Sequence, residues 1–193
     1  MKSYVVEWCG YKWRPITLSD EDTEFICELR NRPECRAGFF DGSAVTPEGH
    51  RDFVRGLIER NEHYWIVEKE GRRLGAYSIY HIDLYNQKAE AGRIAILGDS
   101  RAAYLTGKVC PEIAFMHFGL HKLYGEVLVS NIASKRYFVR IGWTLEGLLR
   151  KHAYKYNQWI DVYVYSILAE EWMSEREKTL KRWGPMRCKE VHL

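Results

Sequence analysis

Long apolar runs are missing from this chain. No stretch approaches the ~20 consecutive apolar residues that a membrane-spanning helix needs, and no apolar N-terminal segment has the form of a secretory leader. The expected location is therefore the cytoplasm, with no membrane partner. A disulfide framework is missing too. The five cysteines, Cys9, Cys27, Cys35, Cys110 and Cys188, are odd in number and no two are spaced C-x-x-C, which argues against a disulfide scaffold and a thiolate zinc site. His117 and His121 are four apart, but Gly119 interrupts a shared helix face, so no metal is expected. An excess of one charge is also lacking. A net charge of +3 is too small to imply a nucleic-acid partner. The basic residues that cluster, Arg176, Lys178, Lys181, Arg182, Arg187 and Lys189, read as a solvated helical tail. With no repeats and no low-complexity linker, one domain is expected over residues 1–193, with its core at about 13–172 and the basic tail at 173–193.

What the chain has is the composition of a globular core, 46% apolar and 28% charged, which excludes disorder. Its 13 Tyr and 7 Trp suit half-buried sheet positions, and rings also line ligand clefts. Tyr4–Trp8 suits a short first strand or an ordered arm. Trp13–Leu18 predicts a strand whose Pro15 puts it at an edge. Ser19 caps a helix, with Asp22 at the reciprocal position of a capping box; that helix ends near Asn31-Arg32-Pro33. Thr46-Pro47-Glu48 starts another, with Phe53, Val54, Leu57 and Ile58 as its stripe. A Glu70-Gly71 turn joins two strands, 64–68 and 74–80, into a hairpin, and the strand at 90–97 pairs with the second. Further strands follow at 125–129, within 144–153 and at 160–168. The order β-α-α-β-β-β-α-β-α-β-β with a helical tail predicts an α/β (α+β) mixed sheet with helices on it.

The most informative stretch is Glu90 to Trp143: strand, basic small-residue turn, apolar segment, strand, then a helix capped by Asn131. Three motifs stand out in it and after it. Gly119-Leu120-His121-Lys122-Leu123 leads into a strand. Asn131-x-x-Ser134 runs on to Ile141-Gly142-Trp143. Glu146-Gly147-Leu148-Leu149-Arg150 follows. Near the N-terminus are Arg14-Pro15-Ile16 and Leu29-Arg30-Asn31-Arg32-Pro33-Glu34. In this order and spacing, roughly from Trp13 to Trp172, the chain resembles the GNAT N-acetyltransferases, in particular the RimJ/RimL-like branch. It is also similar to enzymes that acetylate amino sugars of nucleotide sugars.

The resemblance implies a GNAT fold. A mixed, mostly antiparallel sheet would carry helices on both faces, and its parallel strands Glu90–Leu97 and Gly125–Val129 would splay apart. Acetyl-CoA, as acyl donor, would lie in the splay. Its pantetheine would bond the backbone of Ile94, Ala95, Ile96 and Leu97, near Asn131 and Ser134. Its pyrophosphate would meet the helix start that follows, where free N–H groups and the helix dipole favour an anion and Arg101 adds charge. The family's Q/R-x-x-G-x-G/A loop is altered here. Either Ser100, Arg101, Ala102 and Ala103 supply the N–H groups, the register preferred, or Thr106-Gly107-Lys108 does so and the helix begins late. Pro111 should break or kink that helix.

Acetyl transfer to an amine requires a neutral amine and a protonated leaving thiolate. An alkylammonium with a pKa near ~10 is almost wholly charged at neutral pH, so a general base helps. Glu90 is the first candidate for that base, ahead of His81 and His121, and a strand-end carboxylate is its other reading. Phe138 stands where many family members have the acid Tyr. Tyr137 is the adjacent candidate, turned about 100° away on a helix. Asn131 suits pantetheine, a water or an N-cap. Arg30, Asn31, Phe39, Phe40 and Tyr77 mark the acceptor side, where arginine beside aromatic rings suits a phosphate-bearing or planar molecule. The expected activity is transfer of acetyl from acetyl-CoA to a primary amine of a small molecule, with an amino sugar on a nucleotide carrier as one class. The alternatives are a protein N-terminus as acceptor, or a non-catalytic acyl-CoA-binding module. The expected assembly is a monomer or homodimer.

Overall fold

Residues 1–193 are described by a computed structural model. Nine strands form one sheet. In chain order the elements are β1 (Lys2–Trp8), β2 (Tyr11–Pro15), α1 (Asp20–Asn31), α2 (Pro33–Gly38), α3 (Pro47–Arg55), β3 (His63–Lys69), β4 (Arg72–Asp83) and β5 (Lys88–Ile96). Then come α4 (Ser100–Pro111) with a π-helical turn over Glu112–His117, β6 (Lys122–Leu128), α5 (Ile132–Ile141), β7 (Thr144–Lys155), β8 (Gln158–Leu168), α6 (Ala169–Trp183) and β9 (Arg187–His192). Across the sheet the order is β7-β8-β6-β5-β4-β3-β2-β1-β9. Only β5 and β6 run parallel; every other pair is antiparallel. The mixed sheet with one parallel pair is the architecture expected from the sequence.

Each face buries a different set of helices, because strand alternation sends side chains to opposite sides. On one face α4, the π-turn, α5 and α6 cover Trp13, Trp65, Tyr77 and Ile79. On the other, α1, α2 and α3 pack on Ile66, Ala76 and Ala95. Two wholly buried indoles place their N–H groups deliberately: Trp13 donates to Thr106 Oγ1 at 2.8 Å and Trp65 to the Tyr4 carbonyl at 2.8 Å. Side chains of this size contribute roughly 1.5–3 kcal/mol each by burial, and the satisfied N–H removes the penalty that burial would otherwise carry.

Three expectations are corrected here and a fourth, at Pro111, is sharpened. Pro15 does not mark a sheet edge, since β2 lies between β1 and β3. Pairing with β1 ends at Val6↔Trp13, so the N–H that Pro15 lacks has no carbonyl to miss. Ser19 caps α1, accepting from Asp22 N at 3.2 Å, but the Asp22 carboxylate does not reciprocate. It accepts instead from Arg14 (2.7 Å twice), Arg73 (2.9 Å) and Thr17 N and Oγ1 (3.0 and 2.8 Å). Pro111 is the last residue of α4, as a helix breaker should be, but the chain goes on in helical form. The following turn widens to a π-helix, one of the devices by which a helix absorbs a misfit residue. The basic tail is helical only to Trp183; after Gly184, at φ 82°, the chain runs back as β9 along β1.

Candidate active site

β5 and β6 pair only through Lys88↔Lys122, Ala89↔Leu123 and Glu90↔Tyr124. Beyond that point they part, and a cleft of about 750 Å³ opens between them. Two irregularities bracket Glu90. Between Ala76 and Ser78 the β4–β5 register slips, with an extra residue on β5 near Arg93, at φ 52°. Between Tyr80 and Asp83 it slips again, with the extra residue on β4 near His81, at φ 50°. A positive φ in a residue with a side chain costs about 1–3 kcal/mol and persists only where the surroundings impose it. Arg93 is held so: its Nη1 donates to Glu62 Oε2 at 2.7 Å and to Ser78 Oγ at 3.1 Å, while the guanidinium lies 3.9 Å from the Tyr80 ring centre. Bulges of this kind bend a strand and re-aim its side chains.

The end of the cleft nearest the pairing is acidic. Glu90, 8% exposed, accepts the Tyr80 hydroxyl on Oε1 at 2.5 Å and lies 3.1 Å from His81 Nδ1 on Oε2. Burial, and then the Glu90 charge, hold the Tyr80 hydroxyl well above the ordinary phenol range, so it remains a donor. The same two causes push the Tyr124 hydroxyl to about 12. Glu126 of β6 also lines the cleft. Burial first, then Glu90, raise it above its ordinary value, and His152 Nε2 stands 3.7 Å away. His121, by contrast, is not among the cleft residues.

The far end is basic, though not by the residue expected. α4 begins at Ser100, as the preferred register requires. The alternative is excluded: Thr106 bonds Trp13, a Cβ on Gly107 would lie 2.5 Å from Ile141, and Lys108 donates to the Ile141 carbonyl. Yet Asp99 caps this helix itself. Its Oδ1 accepts from Arg101 N at 3.0 Å and Ala102 N at 2.8 Å, and its Oδ2 takes the Tyr11 hydroxyl at 3.0 Å. Two of the N–H groups expected to meet a pyrophosphate are thus already used. Arg101 lies over the Trp183 ring at 5.1 Å, outside the cleft, and Ala102 is fully buried in the core. Ser100, Ala103, Ile94, Ala95, Ile96, Leu97, Asn131 and Ser134 do line it. In addition to Arg30 and Arg93, positive charge is brought to the cleft from α5 by Arg136 and Arg140, which sequence reasoning missed. Their signal was present: Ala133, Arg136, Tyr137 and Arg140 fall at i, i+3, i+4 and i+7, one face of α5.

Asn131 is the N-cap of α5, accepting from Ser134 N at 3.0 Å, and its amide donates to the Gly38 carbonyl at 3.1 Å. Tyr137 and Phe138 both reach the cleft. Phe138 stacks on Tyr165 at 5.3 Å and fits because residue 125 is glycine, where a Cβ would come within 2.6 Å of the ring. The Tyr137 hydroxyl is raised above its ordinary value by burial.

On the acceptor side Arg30, Phe39 and Phe40 line the cleft, the Arg30 guanidinium 3.7 Å from the Phe39 ring centre. Asn31 does not; its side-chain amide clamps Val45 by two 2.8 Å bonds and fixes the connecting loop. Tyr77 is corrected outright. It is wholly buried, stacked 4.9 Å from Trp65, and Tyr80 is the ring that reaches the cleft. Lys155 ties the loop from the far wall, its ammonium donating to the carbonyls of Arg36 (2.7 Å), Ala37 (2.9 Å) and Phe39.

Comparison with known proteins agrees with this fold. The family model for the acetyltransferase (GNAT) domain matches residues 13–144. YnaD of Bacillus subtilis (strain 168), an uncharacterized N-acetyltransferase, is 39% identical over 61 residues, a stretch covering 32% of this chain and 36% of that protein. The fold is similar to that of spermidine N-acetyltransferase from Vibrio cholerae, solved with CoA and spermine. The TM-score is 0.76 at 20% identity, over 85% of this chain and 98% of that one. A further solved acetyltransferase superposes with a TM-score of 0.75 at 23% identity, over 92% and 93% of the two chains.

Proposed function

The chain belongs to the GNAT acetyltransferases, and from that premise we propose that it moves acetyl from acetyl-CoA to a primary amine of a small molecule. The observation that carries the reading is the division of charge along one cleft. Glu90 and Glu126 lie at and just past the last β5–β6 pair, where the nearby Arg93 is paired with Glu62, and Arg136 and Arg140 line the cleft from α5. Carboxylates attract an ammonium; arginines attract the phosphates of a coenzyme A. Between them runs the β6-facing side of β5 beyond Glu90, which has no strand partner. The residues fit the donor. Ile94 to Leu97 offer backbone to its pantetheine arm, Ser134 and Asn131 flank that arm, and Ala103 and Ser100 leave room near the phosphates.

Holding both molecules in this geometry converts a bimolecular encounter into a positioned one. Backbone N–H groups of β5 polarise the thioester carbonyl. The Tyr137 hydroxyl, kept protonated by burial, supplies a proton to the leaving thiolate. Glu90 faces the amine. Among acceptors, Arg30, Phe39 and Phe40 suit the planar, charged part of a nucleotide-linked amino sugar, while the paired carboxylates suit a polycationic amine. The second reading, of the RimJ/RimL kind, is a protein N-terminus, favoured by the exposure of Phe40 at the cleft rim. The test is release of coenzyme A thiol from acetyl-CoA across nucleotide amino sugars, polyamines and N-terminal peptides. Turnover with one amine class carries the proposal; binding of acetyl-CoA without turnover of any class replaces it with a non-catalytic acyl-CoA-binding module.

A further inference from the structure

The two carboxylates at the narrow end of the cleft are not equivalent. Glu90 has both oxygens engaged, one by the Tyr80 hydroxyl at 2.5 Å and one by His81 at 3.1 Å. Arg93, stacked on the Tyr80 ring and tied to Glu62, keeps that hydroxyl in place. Glu126 is bare by comparison. Its ion-pair neighbour, His152 Nε2, stands at 3.7 Å, beyond hydrogen-bond length. Glu90 is paired across the ladder with Tyr124, and Glu126 is two residues further along β6. Strand alternation therefore puts Glu126 on the same face as Glu90, just past the point where the strands part. A carboxylate held on both oxygens is fixed in place and less basic, yet keeps a lone pair on each oxygen for an ammonium; one that accepts no hydrogen bond is the stronger proton acceptor.

We propose that Glu126 is the catalytic proton acceptor of this site and that Glu90 is the fixed anion that holds the acceptor ammonium. The assignment rests on the acetyl-transfer reading. The bound ammonium gives one proton to the Glu126 carboxylate, and the freed lone pair forms the N–C bond to the thioester carbonyl. The C–S bond breaks with its electron pair on sulfur, and a second amine proton reaches that sulfur through the Tyr137 hydroxyl. The third stays on the amide. Protonated Glu126 returns its proton to solvent past His152, whose side chain is 48% exposed. The groups facing Glu126 are Tyr80 and His81 from β4, Glu90 from β5, Tyr124 of its own strand and His152 from β7. Burial and then the Glu90 charge raise Glu126 above its ordinary value, the direction that makes a carboxylate a stronger base.

The experiment compares E126Q and E90Q in the full chain, with acetyl-CoA affinity by calorimetry as the check that each is folded. E126Q should lower kcat by about 10²–10³-fold at neutral pH, leave the amine KM nearly unchanged and flatten the acidic limb of the pH–rate profile. Its rate should recover as pH approaches the pKa of the amine. E90Q should raise the amine KM by about tenfold or more, as expected for a lost charge-assisted contact, and keep the acidic limb. An E126Q that keeps neutral-pH kcat, or an E90Q that alone loses the limb, overturns the assignment. Should E126Q fail to bind acetyl-CoA, E126D carries the test: a shifted limb supports the proposal and an unshifted one overturns it. A wild-type protein that binds acetyl-CoA and acetylates no amine sinks the acetyl-transfer reading instead, an outcome read before any variant is made.

Discussion

Asp22 of α1 and Glu126 of β6 are both carboxylates drawn back from water, one packed against the sheet and one within it, and their surroundings drive them in opposite directions. Burial alone would raise Asp22, but hydrogen bonds from Arg14, Thr17 and Arg73 overcome it and hold the group well below the usual carboxylate range. Glu126 has burial and a second carboxylate on its side of the balance, with one long contact to a histidine. The corner built by β2, β4 and α1 uses its charge to lock an architecture; the cleft leaves its charge unsatisfied. A starved group is reactive because the fold has not spent it on itself.

The largest test of this contrast is Asp22→Asn. Removing one partner of a buried, paired cluster leaves Arg73 without its carboxylate and Arg14 with Glu68 alone, and should cost about 3–5 kcal/mol, read by urea unfolding. The pH dependence has a definite sign. A carboxylate depressed in the folded state contributes stability that is fully present above its unfolded value, 3.8, and is lost as pH falls below it. The variant should therefore show a weaker loss of stability between about pH 4 and pH 2 than the wild type. A D22N protein as stable as wild type would erase the distinction between the two regions.

On the α5 side of the cleft, Arg136→Glu should weaken acetyl-CoA binding by about 1–3 kcal/mol, the range of a hydrogen bond to a charged group. Calorimetry at low salt reads it, and an unchanged Kd would remove α5 from the donor site. For Glu126→Gln the same physics that makes the group reactive predicts a gain in stability. A carboxylate raised in the folded state destabilises it as pH rises through that value, so the amide should melt at a higher temperature at pH 7. A lower Tm would mean that the glutamate is structural. The smallest effect belongs to Arg101→Glu. Composition and position made Arg101 the obvious phosphate ligand, but it lies on Trp183, and acetyl-CoA affinity should change by less than about twofold. A tenfold loss would restore it to the site.

What was legible in the sequence was whatever has a local cause. The Glu70-Gly71 turn and the Asn131 cap each declare themselves within a few residues. The parallel strand pair at the splay was what the family resemblance implied. What failed depended on distant partners. Tyr77 and Tyr80 are chemically alike, and only strand alternation through the two slips in register decides which of them reaches the cleft. β9 is invisible in a basic segment until β1 offers it an open flank. Arg101 was misplaced because Asp99 fills the helix start and Trp183 draws the guanidinium away. Arg136 and Arg140 were missed for a simpler reason: the face of α5 was not carried through to its second turn.

The parting of β5 from β6 has a further meaning for how the protein survives in a crowded solution. A row of unpaired backbone groups is a template on which other chains can polymerise, and proteins ordinarily blunt it at the outer rim of a sheet. Here it lies in the middle, between two strands that remain joined at Glu90↔Tyr124. Phe138 and Tyr137 stand along one side and the Lys155-tethered loop on the other. A slender flexible chain can thread that slot, whereas a foreign strand bearing bulky side chains on both faces cannot lie flat in it. The fold keeps an adhesive seam open permanently and guards it against aggregation by shape.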